Sequence, residues 1–263
     1  MTAETVTFDD VLRAADAVHR LLPQTPAWSY PLLNEAMGRE VVIKHENTQP
    51  TGAFKVRGGL ALVASMSPAE LAPGLVTAST GNHAQSIAFA ARQVGVPAVI
   101  AMPEGSPQAK ADAVRLLGAE VVWVPGSMTE ATQAAHEIAR DRGMRYVDAG
   151  NTPAVIAGHA TVYLELFSQQ PDLEALYVPI GSGTGAAGAI IVRDQLAPEC
   201  AVIGVQSSQA PAAYQSWSGG EIVAAPCTTR HSGLATARGY ELPQSFLRRG
   251  LADFVLVSDD DID

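Results

Sequence analysis

The sequence has few cysteines, few basic residues and no long hydrophobic segment, and each of these absences excludes a class of protein. Only two of its 263 residues are cysteines, Cys200 and Cys227, which excludes a disulfide framework and a cysteine-based zinc site. Lys and Arg number 17 against 27 Asp and Glu, a formal charge of −10, so the chain lacks the basic surface of a nucleic-acid binder. No apolar run reaches the roughly eighteen residues that a membrane-spanning helix needs.

The N-terminal segment does not read as a secretory signal, because Met1–Arg20 has no basic region followed by an apolar one. Apolar residues make up 47% of the chain, which is enough for a large buried core. These features predict a soluble cytoplasmic enzyme without nucleic-acid or membrane partners.

Short apolar segments alternate with amphipathic ones along the chain, which predicts strands separated by helices. The predicted strands are Val41–Lys44, Leu75–Ala78, Val96–Ala101, Ala119–Val124, Leu176–Ile180 and Ala201–Val205. The predicted helices are Ala84–Val94, Pro107–Leu117, Thr129–Arg142, Pro153–Phe167 and Gly185–Leu196. Strands joined by helical crossovers pair in parallel, so we predict an α/β fold with parallel sheets flanked by helices.

A single lysine, Lys55, stands between Phe54 and Val56 at the predicted start of a helix. Apolar neighbours and a helix N-terminus both lower the pKa of an amine, as a Schiff-base lysine requires. A solvated surface lysine is the commoner case, however, and spacing alone favours that interpretation.

A run of polar residues, Ser79–Gln85, lies between a predicted strand and a predicted helix. Backbone N–H groups and hydroxyls at a helix N-terminus can bind a carboxylate. Thr80 or Asn82 could instead act only as the helix N-cap. Because capping needs just one such residue, and because open α/β sheets bind ligands at the carboxyl ends of their strands, we predict a binding site.

A second glycine-rich segment, Gly181–Gly188, follows a later strand and is suited to a phosphate group. Gly183, Gly185 and Gly188 match the GxGxxG pattern of dinucleotide sites, but the next strand ends at Gln206 without an acidic residue for a ribose. No Gly-Lys-Ser/Thr sequence follows, which excludes a Walker loop. We therefore predict a phosphate site without a dinucleotide.

A reactive lysine, an anion loop and a phosphate loop together indicate a phosphorylated carbonyl cofactor and a carboxylate substrate. In these motifs the chain closely resembles the serine/threonine dehydratase group of fold type II pyridoxal-phosphate enzymes, which includes threonine ammonia-lyase and serine racemase. The segments that carry the resemblance are Thr25-Pro26, Lys44–Gly58, Ser79–Gln85 and Gly233–Arg238. The resemblance implies pyridoxal 5′-phosphate as the cofactor and a two-domain fold like that of the tryptophan synthase β-subunit.

The resemblance also implies a domain division and an assembly. A large cofactor-binding domain is expected from residues 1–50 and 146–263, with a small substrate domain of residues 51–145 inserted into it. The cofactor is expected in the cleft between the two domains, where ligand sites commonly form. A small amino acid is the implied substrate, and the implied assembly is a homo-oligomer, a dimer.

The resemblance assigns roles to individual residues. Lys55 is expected to hold the cofactor as a Schiff base and to move the Cα proton of the substrate, while Phe54 packs beside the cofactor ring. Asn82 is expected to hydrogen-bond the 3′-oxygen of the cofactor. The cofactor phosphate is expected at Gly181, Ser182, Gly183, Thr184 and Gly185, and the substrate carboxylate at Ser79, Thr80, Gly81 and His83. Thr80 also stands where racemases place a catalytic serine.

The implied reaction is β-elimination, in which a hydroxy amino acid such as L-threonine or L-serine is dehydrated and deaminated to a 2-oxo acid and ammonia. Two alternatives remain open at this point. The chain could be an amino-acid racemase of the same family, or a truncated protein that binds the cofactor without turnover.

Three features depart from the family pattern. Ser182 and Thr184 interrupt a phosphate loop that is usually all glycine, which costs energy wherever a positive φ is needed. Gln206 and Ala212 stand where some relatives bind a divalent metal through acidic side chains, so no metal is predicted there. The chain stops at Asp263 where relatives continue, so we expect a large domain that is incomplete at its C-terminus.

Three further features are interpreted without a role in the chemistry or with a minor one. His159 lies on a predicted helix and is interpreted as structural. His231 is a minor candidate for the substrate pocket. The acidic segment Asp259–Asp261 is interpreted as a solvated helix start.

Overall fold

The computed structural model describes residues 5–263, which form sheets surrounded by helices. The strands are β1 (Ala27–Ser29), β2 (Val42–Lys44), β3 (Leu75–Ala78), β4 (Ala98–Pro103), β5 (Glu120–Val124), β6 (Arg145–Tyr146), β7 (Ala175–Pro179), β8 (Ala201–Ser207) and β9 (Asp253–Val257). The helices are α1 (Phe8–Val18), α2 (Pro31–Met37), α3 (Lys55–Ala64), α4 (Pro68–Leu71), α5 (Asn82–Val94), α6 (Gln108–Leu116), α7 (Met128–Arg142), α8 (Pro153–Gln169), α9 (Thr184–Leu196), α10 (Ala212–Gly219), α11 (Glu241–Gly250) and α12 (Asp259–Ile262). Within residues 5–263, no helix combines the length and the apolar character that crossing a membrane demands.

Two parallel sheets carry most of the strands. The first sheet has the order β5-β4-β3-β6 and the second has the order β7-β8-β9, whereas β1 and β2 form a separate antiparallel pair. Helices connect most successive strands within each parallel sheet, which confirms the predicted α/β class. The two polar segments of interest follow β3 and β7, so both lie at carboxyl ends of parallel strands.

Each predicted strand and helix is present, with its ends displaced by two residues at most. The structure also contains strands β1, β6 and β9 and helices α1, α2, α4, α10 and α11, for which no range was predicted. Helix α1 carries a signal that could have located it, because Thr7 and Asp10 form a reciprocal capping box. The hydroxyl of Thr7 accepts from the Asp10 N–H at 3.3 Å, and the Asp10 carboxylate accepts from the Thr7 N–H at 2.8 Å.

Helix α8 lies at the centre of the core, where it packs against α3 on one side and against α9 on the other. Glycines permit both close approaches. A Cβ at Gly158 would lie 2.4 Å from the backbone oxygen of Arg57 on α3, and one at Gly188 on α9 would lie 2.8 Å from Ala160 Cα. Helices α3 and α9 both pack against α8. Lys55 at the start of α3 and the glycine-rich loop before α9 are therefore held in place by the same helix.

The extents of the two domains remain a prediction. The expected boundary between residues 145 and 146 passes through β6, which pairs with β3, so the first sheet reaches Tyr146. Helix α3 was assigned to the small domain, yet it packs against α1 and α8, which were assigned to the large one. The first turn of α3 is therefore anchored in both parts of the chain.

The acidic C-terminal segment differs from its interpretation. Asp259–Asp261 does begin a helix, α12, but the expectation of a solvated start is wrong for Asp259, which is only 2% exposed. Its carboxylate accepts hydrogen bonds from side chains and backbone that lie far away in the sequence.

Candidate active site

The amine of Lys55 points into the protein from the first residue of α3. Nζ donates hydrogen bonds to Thr184 Oγ1 at 2.9 Å and to Ser182 Oγ at 3.4 Å, and it lies 5.1 Å from the centre of the Phe54 ring. Desolvation by burial lowers the pKa of Lys55 to about 8. The solvated lysine that spacing alone favours is therefore not what the fold produces, and a neutral amine is accessible at much lower pH than for an ordinary lysine.

The glycine-rich loop after β7 faces this amine. Gly183 takes a positive φ of 86°, whereas Ser182 and Thr184 do not, so the backbone strain expected from these two side chains is absent. The two hydroxyls lie 3.2 Å from each other. Because Thr184 opens α9, the first N–H groups of that helix have no intrahelical partner and can bind an anion.

Phe54 closes the space beside the loop. A Cβ at Gly185 would lie 3.3 Å from the Phe54 ring and 3.4 Å from the hydroxyl of Tyr163, so only glycine allows this approach without displacing a neighbour. The ring of His159 packs edge-on against Phe54, with ring centres 4.8 Å apart. His159 thus supports the aromatic wall next to Lys55, in keeping with its interpretation as structural.

The polar loop after β3 lies at the start of α5. Asn82 is the first helical residue, and the N-cap position falls on Gly81, which has no side chain with which to cap. The Gly81 N–H instead donates to Ser79 Oγ at 3.2 Å. Neither Thr80 nor Asn82 is therefore the N-cap, so the capping interpretation of this segment does not hold.

Helix α5 is joined directly to the lysine helix. Ser86 Oγ donates to the backbone oxygen of Lys55 at 2.5 Å and accepts from the N–H of Gly59 at 3.1 Å. A Cβ at Gly59 would lie 2.6 Å from Ser86, so the two helices touch at this glycine. The loop at residues 79–83 and Lys55 are consequently held in a fixed relation.

A third loop, at residues 231–236, completes the enclosure, and the sequence analysis named only His231 from it, as a minor candidate for the substrate pocket. The backbone oxygen of Gly233 would lie 3.0 Å from a Cβ built on Gly181. The backbone oxygen of Ser232 would lie 3.9 Å from one built on Gly81, and Asn82 Nδ2 lies at the same distance from one built on Gly233. The signals in the sequence were His231 and the segment Gly233–Arg238, which is part of the family resemblance.

Two buried histidines flank the lysine. Desolvation, with a contribution from the charge of Lys55, lowers the pKa of His83 to about 3, and the same two causes lower the pKa of His159. His83 Nε2 and both ring nitrogens of His159 are buried without a hydrogen-bond partner among residues 5–263. Both rings are therefore neutral at physiological pH and add no positive charge beside the amine.

A buried ion network lies behind Lys55, and sequence reasoning did not predict it. Arg57 donates from Nη1 to Glu165 Oε1 at 2.6 Å and from Nε to Glu46 Oε2 at 2.8 Å. Lys44 Nζ and His19 Nε2 contact the Glu165 carboxylate at 2.7 and 2.8 Å. Arg57 is on α3, Glu165 is on α8 and Lys44 is on β2, so the network ties the first turn of α3 to α8 and β2. Arg57 itself is completely buried.

The positions at which some relatives bind a metal are filled by uncharged residues. Gln206 is buried, and its Oε1 accepts from the backbone N–H of Tyr214 at 3.0 Å, while Ala212 is fully buried at the start of α10. Across the described part of the chain, no three His, Cys, Asp or Glu side chains are grouped so that they could hold a metal ion. The absence of a metal remains a prediction.

The chain is similar to known proteins along most of its length. The family described as "Pyridoxal-phosphate dependent enzyme" matches residues 18–263. An L-threonine dehydratase of Pasteurella multocida is 38% identical over 204 residues, which cover 78% of this chain and 40% of that protein. A beta-hydroxyaspartate dehydratase of Paracoccus denitrificans is 34% identical over 258 residues, which cover 97% of this chain and 81% of that protein.

The fold is shared with solved structures as well. The structure of maize serine racemase matches with a TM-score of 0.95 at 26% identity, covering 98% of this chain and 79% of that one. The chain spans 40 to 64% of the length of four threonine dehydratases and threonine ammonia-lyases that it matches.

Proposed function

The chain belongs to the family of pyridoxal-phosphate-dependent enzymes, as its motifs predict, and we propose that it catalyses β-elimination of a β-hydroxy amino acid such as L-threonine or L-serine. The products are a 2-oxo acid and ammonia. The observation that carries this proposal is the partly buried Lys55, whose amine has a pKa of about 8 and is hydrogen-bonded to the hydroxyls of the glycine-rich loop.

The residues present fit the family's cofactor, pyridoxal 5′-phosphate. Gly181 and Gly185 form a cradle that a Cβ would fill, and α9 directs its free N–H groups to the same place. We propose that Lys55 holds the aldehyde carbon of the cofactor covalently, that Phe54 packs beside the ring, and that Asn82 binds the 3′-oxygen. The phosphate is assigned to the loop at residues 181–185.

Lys55 is the proposed base of the reaction. When bound, the cofactor supplies an electron sink that makes the Cα–H of an attached amino acid acidic. The substrate amine would replace Lys55 on the cofactor, and the freed neutral Nζ would then accept this proton, which its lowered pKa of about 8 permits near physiological pH. The β-hydroxyl would take up the proton that Lys55 has removed and leave as water, and hydrolysis of the released product would yield the 2-oxo acid and ammonia.

The loop at residues 79–83 is the proposed carboxylate site. Because the pKa of His83 is lowered to about 3, this side chain offers no positive charge to the substrate. Recognition is therefore assigned to the backbone N–H groups at the start of α5 and to the hydroxyls of Ser79 and Thr80. These groups hold the substrate next to Lys55.

Reductive trapping tests the proposal directly. The chain contains only three lysines, Lys44, Lys55 and Lys110. After incubation with pyridoxal phosphate and borohydride, intact mass and peptide mapping should show one adduct, on Lys55. L-threonine, L-serine and β-hydroxyaspartate should then be screened for 2-oxo acid and ammonia.

Lys55→Ala should remove both the adduct and the turnover, while Lys110→Ala on helix α6 should retain both. Turnover that survives in Lys55→Ala would contradict the proposal. An adduct on Lys55 without turnover of any of the three substrates would favour a protein that binds the cofactor without eliminating.

Racemisation is the second candidate, favoured by the similarity to maize serine racemase and by the position of Thr80 in the carboxylate loop. Racemisation requires a second acid/base group on the face opposite Lys55. Chiral analysis of serine after incubation distinguishes the reactions, because D-serine indicates racemisation and a 2-oxo acid indicates elimination. Thr80→Val should suppress D-serine formation more strongly than elimination, because elimination loses only one of the hydroxyls assigned to the substrate carboxylate. We also propose that the chain forms a homodimer in solution. Sedimentation equilibrium tests this, because it measures the molecular mass of the assembly.

A further inference from the structure

Asp259 is a buried carboxylate that the proposed chemistry does not use. It begins the short helix α12 directly after β9, and its neighbour Asp260 is 89% exposed whereas Asp259 is 2% exposed. Burial of a single acidic residue within an acidic segment requires compensation by hydrogen bonds or charge. The partners of Asp259 therefore indicate what this residue does.

Three donors from two other parts of the chain meet at this carboxylate. Oδ1 accepts from Ser207 Oγ at 2.5 Å and from Thr229 Oγ1 at 2.8 Å, and Oδ2 accepts from the backbone N–H of Arg230 at 2.9 Å. The backbone oxygen of Asp259 also lies 3.1 Å from His231 Nε2. Asp259 thus connects the end of β8 with residues 229–231.

The charge on Asp259 is retained despite burial. Desolvation raises its pKa, but the hydrogen bonds from Ser207, Arg230 and Thr229 outweigh this effect and hold the pKa below its ordinary value. The guanidinium of Arg230 turns outward to Asp260 and Asp263 at the surface. The anion is therefore stabilised chiefly by hydroxyl and backbone donors.

Residues 229–231, which Asp259 contacts, lead directly into the third loop of the site at residues 231–236. Ser232 and Gly233 follow His231, and their backbone oxygens face Gly81 in the carboxylate loop and Gly181 in the phosphate loop. His231 is fixed further, because its backbone N–H donates to Thr229 Oγ1 at 3.2 Å. A displacement of residues 229–231 would shift both contacts.

We propose that Asp259 is a positioning residue whose carboxylate fixes residues 229–233 against the carboxylate loop and the phosphate loop. This rests on the proposed function of those two loops. Loss of the carboxylate frees residues 229–233, loosens the enclosure of the cofactor and the substrate, and leaves Lys55 chemically intact.

The test compares Asp259→Ala and the milder Asp259→Asn with the exposed control Asp260→Ala. Hydrogen exchange of residues 226–240 measures the loop, and titration with pyridoxal phosphate measures the affinity for the cofactor. Asp259→Ala should accelerate exchange in this loop and weaken cofactor binding by about tenfold or more, because it removes three hydrogen bonds to a buried charge. Asp259→Asn should lie between Asp259→Ala and the wild type.

Thr229→Val provides a second route to the same result, because it removes one donor and keeps the carboxylate. Its effect on cofactor affinity should be smaller when Asp259 is already alanine, since only the hydrogen bond from the His231 N–H to Thr229 Oγ1 is then left to lose. In steady-state kinetics the Asp259 variants should raise KM more than they lower kcat, which a general loss of stability would not produce.

Two outcomes would overturn the proposal. Cofactor affinity and KM in Asp259→Ala and Asp259→Asn that match Asp260→Ala would show that the carboxylate does not act on the site. Faster loop exchange without any change in cofactor affinity or KM would limit Asp259 to a role in the fold. If the wild-type chain takes up no pyridoxal phosphate, the proposed function fails first and this inference fails with it.

Discussion

Replacing Glu165 by glutamine should destabilise the fold by about 3 kcal/mol at neutral pH, because breaking a buried ion pair from one side costs about 3–5 kcal/mol. The Glu165 carboxylate is 2% exposed and accepts from Arg57 at 2.6 Å and from Lys44 at 2.7 Å. Glutamine keeps the volume but leaves two buried cations with only the carboxylate of Glu46 nearby.

The lowered pKa of Glu165 gives a second value for the stability that its charge contributes. Desolvation raises the pKa of Glu165, but the hydrogen bonds and charges of Arg57 and Lys44 outweigh it and hold the pKa at about 2, against an ordinary 4.5. A lowered folded-state pKa contributes stability that is complete above the unfolded-state pKa and is lost as the pH falls towards the folded-state value. At about 1.4 kcal/mol per pH unit, this interval again corresponds to about 3 kcal/mol.

Urea unfolding followed by far-UV circular dichroism measures the difference between wild type and Glu165→Gln. The difference in free energy of unfolding should fall from about 3 kcal/mol near pH 7 to about 1 kcal/mol near pH 3, where the carboxyl of the unfolded chain is already protonated. Glu137→Gln, at an exposed position on α7, serves as the matched control and should change little. A loss below about 1 kcal/mol near pH 7, or a loss that does not depend on pH, would refute this account of the network.

Two further predictions concern the helix crossing and the lysine. Gly158→Ala should lower the free energy of unfolding in urea by about 1–3 kcal/mol, because its Cβ would lie 2.4 Å from the backbone oxygen of Arg57. Gly219→Ala serves as the control, because its Cβ would meet no neighbour. Equal stabilities of the two variants would contradict the close packing of α3 and α8. The rate at which an amine-directed reagent modifies Lys55 should rise with pH to a midpoint near its pKa of about 8, because only the neutral amine reacts. A midpoint near the ordinary value of 10.5, measured by peptide mass spectrometry, would show that Lys55 is solvated.

Much of the fold could be predicted because its signals are local. Apolar periodicity and Gly or Pro positions locate strands and helices over a few residues, and crossover helices then require parallel pairing. Parallel pairing places the loops after β3 and β7 at the carboxyl ends of their strands, so both proposed binding segments could be located from their polar and glycine residues alone. The resemblance to a known family rests on the same short motifs.

The environment of the lysine could not be obtained in this way. Spacing favoured a solvated side chain, yet the Lys55 amine bonds to Thr184, which lies 129 residues further along the chain. Its pKa is lowered by desolvation, and desolvation depends on which distant segments cover the amine. No periodicity within the segment around Lys55 carries that information.

The same distinction holds for the groups that support the site. Arg57 and Glu165 are 108 residues apart and Ser207 and Asp259 are 52 apart, and each pair meets only after the chain has folded. Residue types and local order along the chain were enough to establish the architecture and to indicate a lysine-and-phosphate chemistry. Burial and long-range contacts set which charges are kept, how far the pKa of the Lys55 amine falls and which loop lies against Gly81 and Gly181, because solvation and hydrogen bonding depend on the packing around each group.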